Sequence, residues 1–254
     1  MPLGWTAKQT NKITVMAKVA DVFLNGTLGN MVFYRRMGTN CARIKSSDVR
    51  QSAATKIRSA NFGIAAKAGK TLRNGLIPCM PAPTDRSMQS RFSGAIAKWI
   101  GISAIDELLP TNPVPFTSTL SFTKNQPVAE RFKVPFTINI TEGNLIVVSM
   151  DAFVPTKNIS APAGTGLVTL VISLAACMLK TGESLGNETH TIEIPYNDTP
   201  VGARMLEFNV SISAESLLVT AARLIYKRFQ NNAWMEMNKE AFLPAGVINA
   251  RFGN

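Results

Sequence analysis

Gly166-Leu167-Val168-Thr169-Leu170-Val171-Ile172-Ser173-Leu174-Ala175-Ala176-Cys177-Met178 is the longest apolar run in the chain, and its reading decides the fold. It is shorter than the roughly 18 to 20 residues that a membrane-spanning helix needs, is rich in β-branched residues and is interrupted by Ser173. A buried strand is the expectation, with no membrane insertion. On either side, Ser118 to Phe122, Phe132 to Ile140, Leu145 to Met150, Thr189 to Ile194, Arg204 to Ile212 and Leu217 to Phe229 also read as strands between turn clusters. The Ala221-Ala222 pair in Leu217 to Tyr226 would suit a helix, but its β-branched neighbours favour a strand. Thr141-Glu142-Gly143-Asn144 and Gln230-Asn231-Asn232 look like hairpin turns, the second leading into Ala233 to Met237. With no helical pattern between them, these segments predict an antiparallel β-sandwich or barrel over residues 111–254.

The part before residue 111 has a different texture. Residues 1–105 hold 16 Lys and Arg against Asp21, Asp48 and Asp85, a net of +13, whereas the remainder is slightly acidic. Clustered cations attract polyanions through counterion release, so the asymmetry points to nucleic acid or another acidic partner. Within this part, Asn25-Gly26-Thr27-Leu28-Gly29-Asn30 leads into Met31-Val32-Phe33-Tyr34-Arg35-Arg36. Met37-Gly38-Thr39-Asn40 then separates that run from Cys41-Ala42-Arg43-Ile44-Lys45, which together read as a β-hairpin. Alternation places Val32, Tyr34 and Arg36 on one face and Met31, Phe33 and Arg35 on the other, with Arg43 and Lys45 sharing a face of the second strand. Arginines beside an aromatic suit phosphate contact plus base stacking by Tyr34. They equally suit a half-buried hairpin with solvated cations.

Ser47-Asp48 can cap a helix running from Val49 to about Leu76, with Ile57, Ala60, Ile64, Ala68 and Leu72 as its apolar stripe. Lys56, Lys67, Lys70 and Arg73 fall outside that stripe within about a third of the circumference. Gly75 and Pro78 end it, and a second helix is expected from Thr84 or Asp85 through Phe92, Ile96 and Trp99 to Gly101. The glycines and alanines of the first helix permit close approach of a neighbour. Gly63 to Thr71 superficially resembles a phosphate-binding loop, but the glycine spacing is one residue too long and no strand precedes it.

The predicted class is therefore α+β and mostly β: an arm over 1–23, a basic hairpin and two helices over 24–110, and the β-rich region over 111–254. No catalytic constellation is evident. The single histidine, His190, lies on a predicted strand, and no His, Cys, Asp and Glu cluster has metal-ligand spacing. Neither an enzyme activity nor a cofactor is expected. Cys41, Cys79 and Cys177 are odd in number and far apart, as reduced, buried thiols would be. The N-terminus lacks the pattern of a signal peptide, which predicts cytoplasmic synthesis, possible release in a particle or filament notwithstanding.

The stretch from Asn25 to Leu76, with Gly26-x-Leu28-Gly29-Asn30-x-Val32-Phe33-Tyr34 followed by a basic, Ala-rich helix, resembles an uncharacterised family of small basic proteins from Bacteroidota that continue into a β-rich domain. Met16-Ala17-Lys18 resembles that family's start, and residues 1–15 look like an extension. The resemblance implies this layout and no site. The arm and the C-terminal Arg251-Phe252-Gly253-Asn254 read as tails that other subunits or nucleic acid would hold. Two functions are expected: a structural subunit of a homomeric assembly, filament or virion-like, or a stand-alone DNA- or RNA-binding protein. The candidate polyanion contacts are Arg35, Arg36, Arg43, Lys45, Lys56, Lys67, Lys70 and Arg73, with Tyr34 for stacking.

Overall fold

A computed structural model describes residues 24–46, 51–82, 87–102, 120–123, 126–141, 145–237 and 242–253. The 1–23 arm, the Ser47-Asp48 cap, the start of the second helix and the tip of the 141–144 turn lie outside the described residues. The chain divides into two compact units, Met1–Ser52 and Ala53–Asn254.

In the first unit the expected hairpin is present, with one more strand in front of it. β1 (Gly26–Leu28), β2 (Met31–Arg36) and β3 (Thr39–Ile44) form an antiparallel meander in that order. Met37 and Gly38 both have positive φ, 48° and 82°, the pair that a two-residue turn of the twist-matched type requires. The turn is therefore Met37-Gly38 alone, and Thr39 and Asn40 already belong to β3.

The second unit is built in three layers around the opening run. β6 (Leu167–Met178) and β9 (Ser216–Gln230) pair along their length at the centre of a five-stranded antiparallel sheet. β7 (Ser184–Pro195) flanks β6, while β10 (Ala233–Glu236) and β11 (Ala245–Phe252) share the far edge of β9. On one face of β6, Val168, Leu170, Ile172, Leu174 and Ala176 pack against a second sheet; on the other, Val171, Ala175 and Cys177 pack against helices. A strand covered on both faces has no polar alternation to show, which is why β6 reads as an unbroken apolar run. The second sheet has the order β4 (Phe136–Ile140), β5 (Ile146–Met150), β8 (Arg204–Phe208).

The sandwich is laced along both sides. At one, the His190 Nε2 donates to the Glu207 carbonyl at 2.9 Å, the Asn209 amide donates to the Glu188 carboxylate at 2.6 Å, and the Ser211 amide donates to the Leu185 carbonyl at 3.2 Å. At the other, an Arg251 Nη1 donates to the Ile138 carbonyl at 3.0 Å. Side chains, with one backbone bond, thus join strands that are not paired by a regular ladder, and two sheet edges are closed to outside strands at those points.

The helices belong to this second unit. α1 (Ala53–Gly75), a 3₁₀ turn (Ile77–Cys79) and α2 (Met88–Ile102) lie over the sheet face opposite the second sheet. Ala65, Ala68 and Leu72 of α1 share one core with Phe92, Ile96, Trp99 and Ile100 of α2 and with Val171, Leu217, Val219, Ala245 and Phe252 of the sheet. Two glycines make the contacts possible. A Cβ on Gly69 would sit 3.0 Å from the Ser93 hydroxyl, and one on Gly75 would sit 2.7 Å from the Ala175 Cβ. The expected stripe holds from Ile64 onward, whereas Ile57 and Ala60 are exposed.

Other boundaries shift for local reasons. Residues Val128–Arg131 form a single helical turn, α3, so the strand expected from Phe132 begins at Phe136. A second such turn, α4 (Pro155–Asn158), connects β5 to β6. Of the strand expected over Ser118 to Phe122, residues 118–119 lie outside the described residues, and Ser121 makes an isolated bridge to Gly246. The C-terminal residues read as a tail include Arg251 and Phe252 of β11, held by Leu218 and Leu217 of this chain's own β9. No helix among the described residues is long and apolar enough to cross a membrane.

Candidate polyanion-binding surfaces

The eight candidate cations fall into two sets, one on each unit. On the meander, cross-strand register puts Val32 opposite Arg43, Tyr34 opposite Cys41 and Arg36 opposite Thr39. Because side chains alternate, Val32, Tyr34, Arg36 and Arg43 share one face. Val32, Tyr34 and Arg43 line a shallow concavity of about 290 Å³ there. Arg35 is on the opposite face, where its Nε donates to the Gly38 carbonyl at 3.3 Å across the turn. Lys45 lies just past β3, its amide donating to the Asn30 carbonyl at 2.6 Å and closing the end of the meander. The structure therefore groups Tyr34 with Arg36 and Arg43 and separates Arg35 from them.

On α1, Lys56, Lys67 and Lys70 are exposed and Arg73 is half-buried. Partial burial of Arg73 lowers its pKa from the ordinary arginine value, though a guanidinium remains charged at any physiological pH. Among the described residues none of the four is in an ion pair. At about 1.5 Å per residue, Lys67 to Arg73 spans about 9 Å and Lys56 lies about 16 Å further back. The C-terminal trio is anchored: the Thr71 hydroxyl donates to the Gly182 carbonyl at 2.6 Å, and a Cβ on Gly182 would meet the Lys67 Cβ at 2.8 Å. That β6–β7 turn also holds Lys180, which is paired with Glu215 at 3.7 Å. On another flank of α1, Arg58 and Lys98 border a concavity of about 280 Å³ with Asn61, Phe62 and Ala97. Lys180 and Lys98 come from elements distant in sequence from the α1 cations, so no spacing rule could have grouped them with it.

No family model matches this chain, and no curated protein or solved structure is found to be similar to it. Its chemistry is therefore read from its own side chains. His190 packs edge-on against Phe208, with ring centroids 4.6 Å apart, and its Nε2 lies 3.3 Å from the Glu188 carboxylate. These contacts occupy it in lacing β7 to β8. Cys79 and Cys177 are buried, and burial pushes their thiols up to about 11 and about 12 respectively; Cys41 is half-buried, and all three are free thiols. The Cys79 thiol donates to the Val171 and Ala221 carbonyls at 3.5 and 3.4 Å, beneath the 3₁₀ turn. Gly63 to Thr71 lies within the unbroken helix α1, where backbone amides are engaged along the helix and cannot surround a phosphate. Among the described residues no group of three or more His, Cys, Asp or Glu side chains is placed to hold a metal ion.

Proposed function

We propose that this protein is a non-enzymatic structural subunit of a homomeric assembly, whose basic surfaces face a polyanion. The observation that supports it is the state of the three-stranded meander. Among its described residues Ala42 is the one buried hydrophobic side chain, while Leu28 is 70 % and Ile44 56 % exposed. Leu28, Met31 and Ile44 are cross-strand neighbours on one face. A sheet this small, with apolar side chains left in water, lacks the burial needed for independent stability and gains it by docking. A second copy of the chain supplies such a surface at equal concentration. In size-exclusion chromatography with light scattering, the chain is expected to run as a multimer at both low and high salt. Leu28→Ser combined with Ile44→Ser should reduce the multimer at least tenfold. A chain that stays monomeric under every condition overturns the proposal.

A second reading, a DNA- or RNA-binding protein, is favoured by Tyr34, Arg36 and Arg43 lying on one face and by the unpaired cation row of α1. It predicts affinity that falls steeply with salt, about 0.7 to 0.9 in log–log slope for each phosphate contact. Arg36→Ala with Arg43→Ala should lower that slope by about 1.4 to 1.8, and Tyr34→Ala should weaken single-strand binding by about 1 to 3 kcal/mol. Filter binding over a salt series measures both. Affinity unchanged after removal of Arg35, Arg36 and Arg43 would count against the meander as the contact.

A further inference from the structure

Among its described residues, the Ala53–Asn254 unit has an exposed aromatic projection and an apolar cavity. The projection is the β9–β10 hairpin. Its turn, Asn231-Asn232, has φ of 53° and 59°, and beyond it β10 pairs with the last four residues of β9. Phe229 is 60 %, Trp234 46 % and Met235 54 % exposed. Phe229 and Trp234 are cross-strand partners with rings in edge contact, centroids 5.4 Å apart. Trp234 also leans on Gly166, where a Cβ would lie 3.0 Å from two of its ring carbons. The indole is therefore backed on one side and presented on the other, which reduces the ordering cost of docking it. Glu236, two residues along, projects from the same face and is exposed.

The cavity, about 430 Å³, lies where Gly246, Val247 and Ile248 of β11 meet Leu120, α3 and the segment Phe132 to Phe136. Leu120, Val128, Phe132, Val134 and Val247 are buried walls, and among the described residues Lys133 is the one charged side chain of the lining. Its volume is within the range of pockets that seat bulky aromatic groups. It opens on the side of the sandwich where β4 and β11 are joined through the Arg251 side chain instead of a ladder.

We propose that the β9–β10 hairpin of one copy seats Trp234 and Phe229 in this cavity of a second copy, with Glu236 meeting Lys133. The inference rests on the assembly reading above and names one of its contacts. A second copy is the occupant because projection and cavity match in kind: an aromatic pair with one carboxylate, and apolar walls with one ammonium. The hairpin cannot enter its own cavity. Trp234 pairs with Phe229 and Gly246 with Ala222, which places them seven residues, about 23 Å, apart along β9. A contact between two different patches is heterologous, and its repetition builds a ring or a filament.

Two variants test it. Phe229→Ser with Trp234→Ala removes the projection, and Ala129→Trp fills the cavity from an exposed position on its lining. Circular dichroism should show both folded. In light scattering each variant alone is expected to lose assembly at least tenfold, and an equimolar mixture should recover a complex, because one partner retains the cavity and the other the hairpin. Recovery in the mixture is the decisive result. If both variants assemble as the wild type does, this contact is wrong while the assembly reading stands. If both are monomeric and their mixture stays so, hairpin-in-cavity pairing is wrong. A wild-type chain that is itself monomeric overturns both.

Discussion

Phe208→Ala is expected to destabilise the Ala53–Asn254 unit by about 3 to 5 kcal/mol, the usual cost of deleting a fully buried phenyl ring. Phe208 ends β8 opposite Ile146, has no solvent exposure and fills the core between the two sheets. It also backs the His190 ring, which laces β7 to the Glu207 carbonyl. The substitution therefore leaves a cavity and loosens a seam at the same point. At about 2 to 4 °C per kcal/mol for a unit of this size, the melting temperature should fall by roughly 10 °C. His190→Ala, which removes the lace but leaves the ring, should cost about 1 kcal/mol. Thermal and urea denaturation of the two variants separate the terms. A Phe208→Ala loss under about 1 kcal/mol would mean that the second sheet is not packed on the first as described.

The strands most legible in the sequence are those whose environment is uniform along their length. β6 and β9 lie at the centre of the large sheet with both faces covered, so their apolar runs announce them, and the alanines of β9 that could have suited a helix are instead where close-packed neighbours lie. The Gln230-Asn231-Asn232 turn was equally readable, since asparagine tolerates the left-handed conformation that two-residue hairpins demand. β11 was not. Its Ala245-Gly246-Val247 start and the bulge between Val247 and Asn249 interrupt any two-residue period, and Gly246 is required by the Leu120 carbonyl, 2.8 Å from where its Cβ would be.

The helices illustrate a different limit. Charge correctly marked the outward face of α1, with Lys56, Lys67 and Lys70 exposed, but charge describes what a helix shows to water and not what it rests upon. The packing partner is set by Ala65, Ala68, Gly69 and Gly75, buried beside Leu72, and their smallness admits a sheet as readily as another helix. In fact it admits both, α2 at Gly69 and β6 at Gly75. For the candidate surfaces, alternation sufficed to put Tyr34 and Arg36 on one face. The cross-strand register that adds Arg43 to them depended on which two residues make the turn. Reading Met37-Gly38-Thr39-Asn40 as the turn left that register open.

The same dependence on close approach leads to opposite effects for two glycines of α1. Gly75→Val is expected to be strongly destabilising. The Cβ alone would lie 2.7 Å from the Ala175 Cβ and 3.0 Å from the Asn187 Cβ, closer than carbon atoms pack, and the two branches of valine add to the conflict. Ala175 is on the central strand, paired on both sides, and cannot retreat. The end of α1 must lift instead, drawing Leu72, Leu76 and Cys79 out of positions with no solvent exposure and stretching the Thr71 bond to Gly182. Overpacking of a core costs about 1 to 3 kcal/mol, and with several buried side chains displaced together the loss should reach about 3 kcal/mol or more. Gly63→Ala, twelve residues earlier, meets nothing within 4 Å and should stabilise by up to about 1 kcal/mol through helix propensity. Opposite shifts in melting temperature from the two substitutions would establish that α1 is packed at its C-terminal end and free at Gly63. Equal, small shifts would remove the helix layer from the sheet, and with it the fixed placement of Lys67, Lys70 and Arg73.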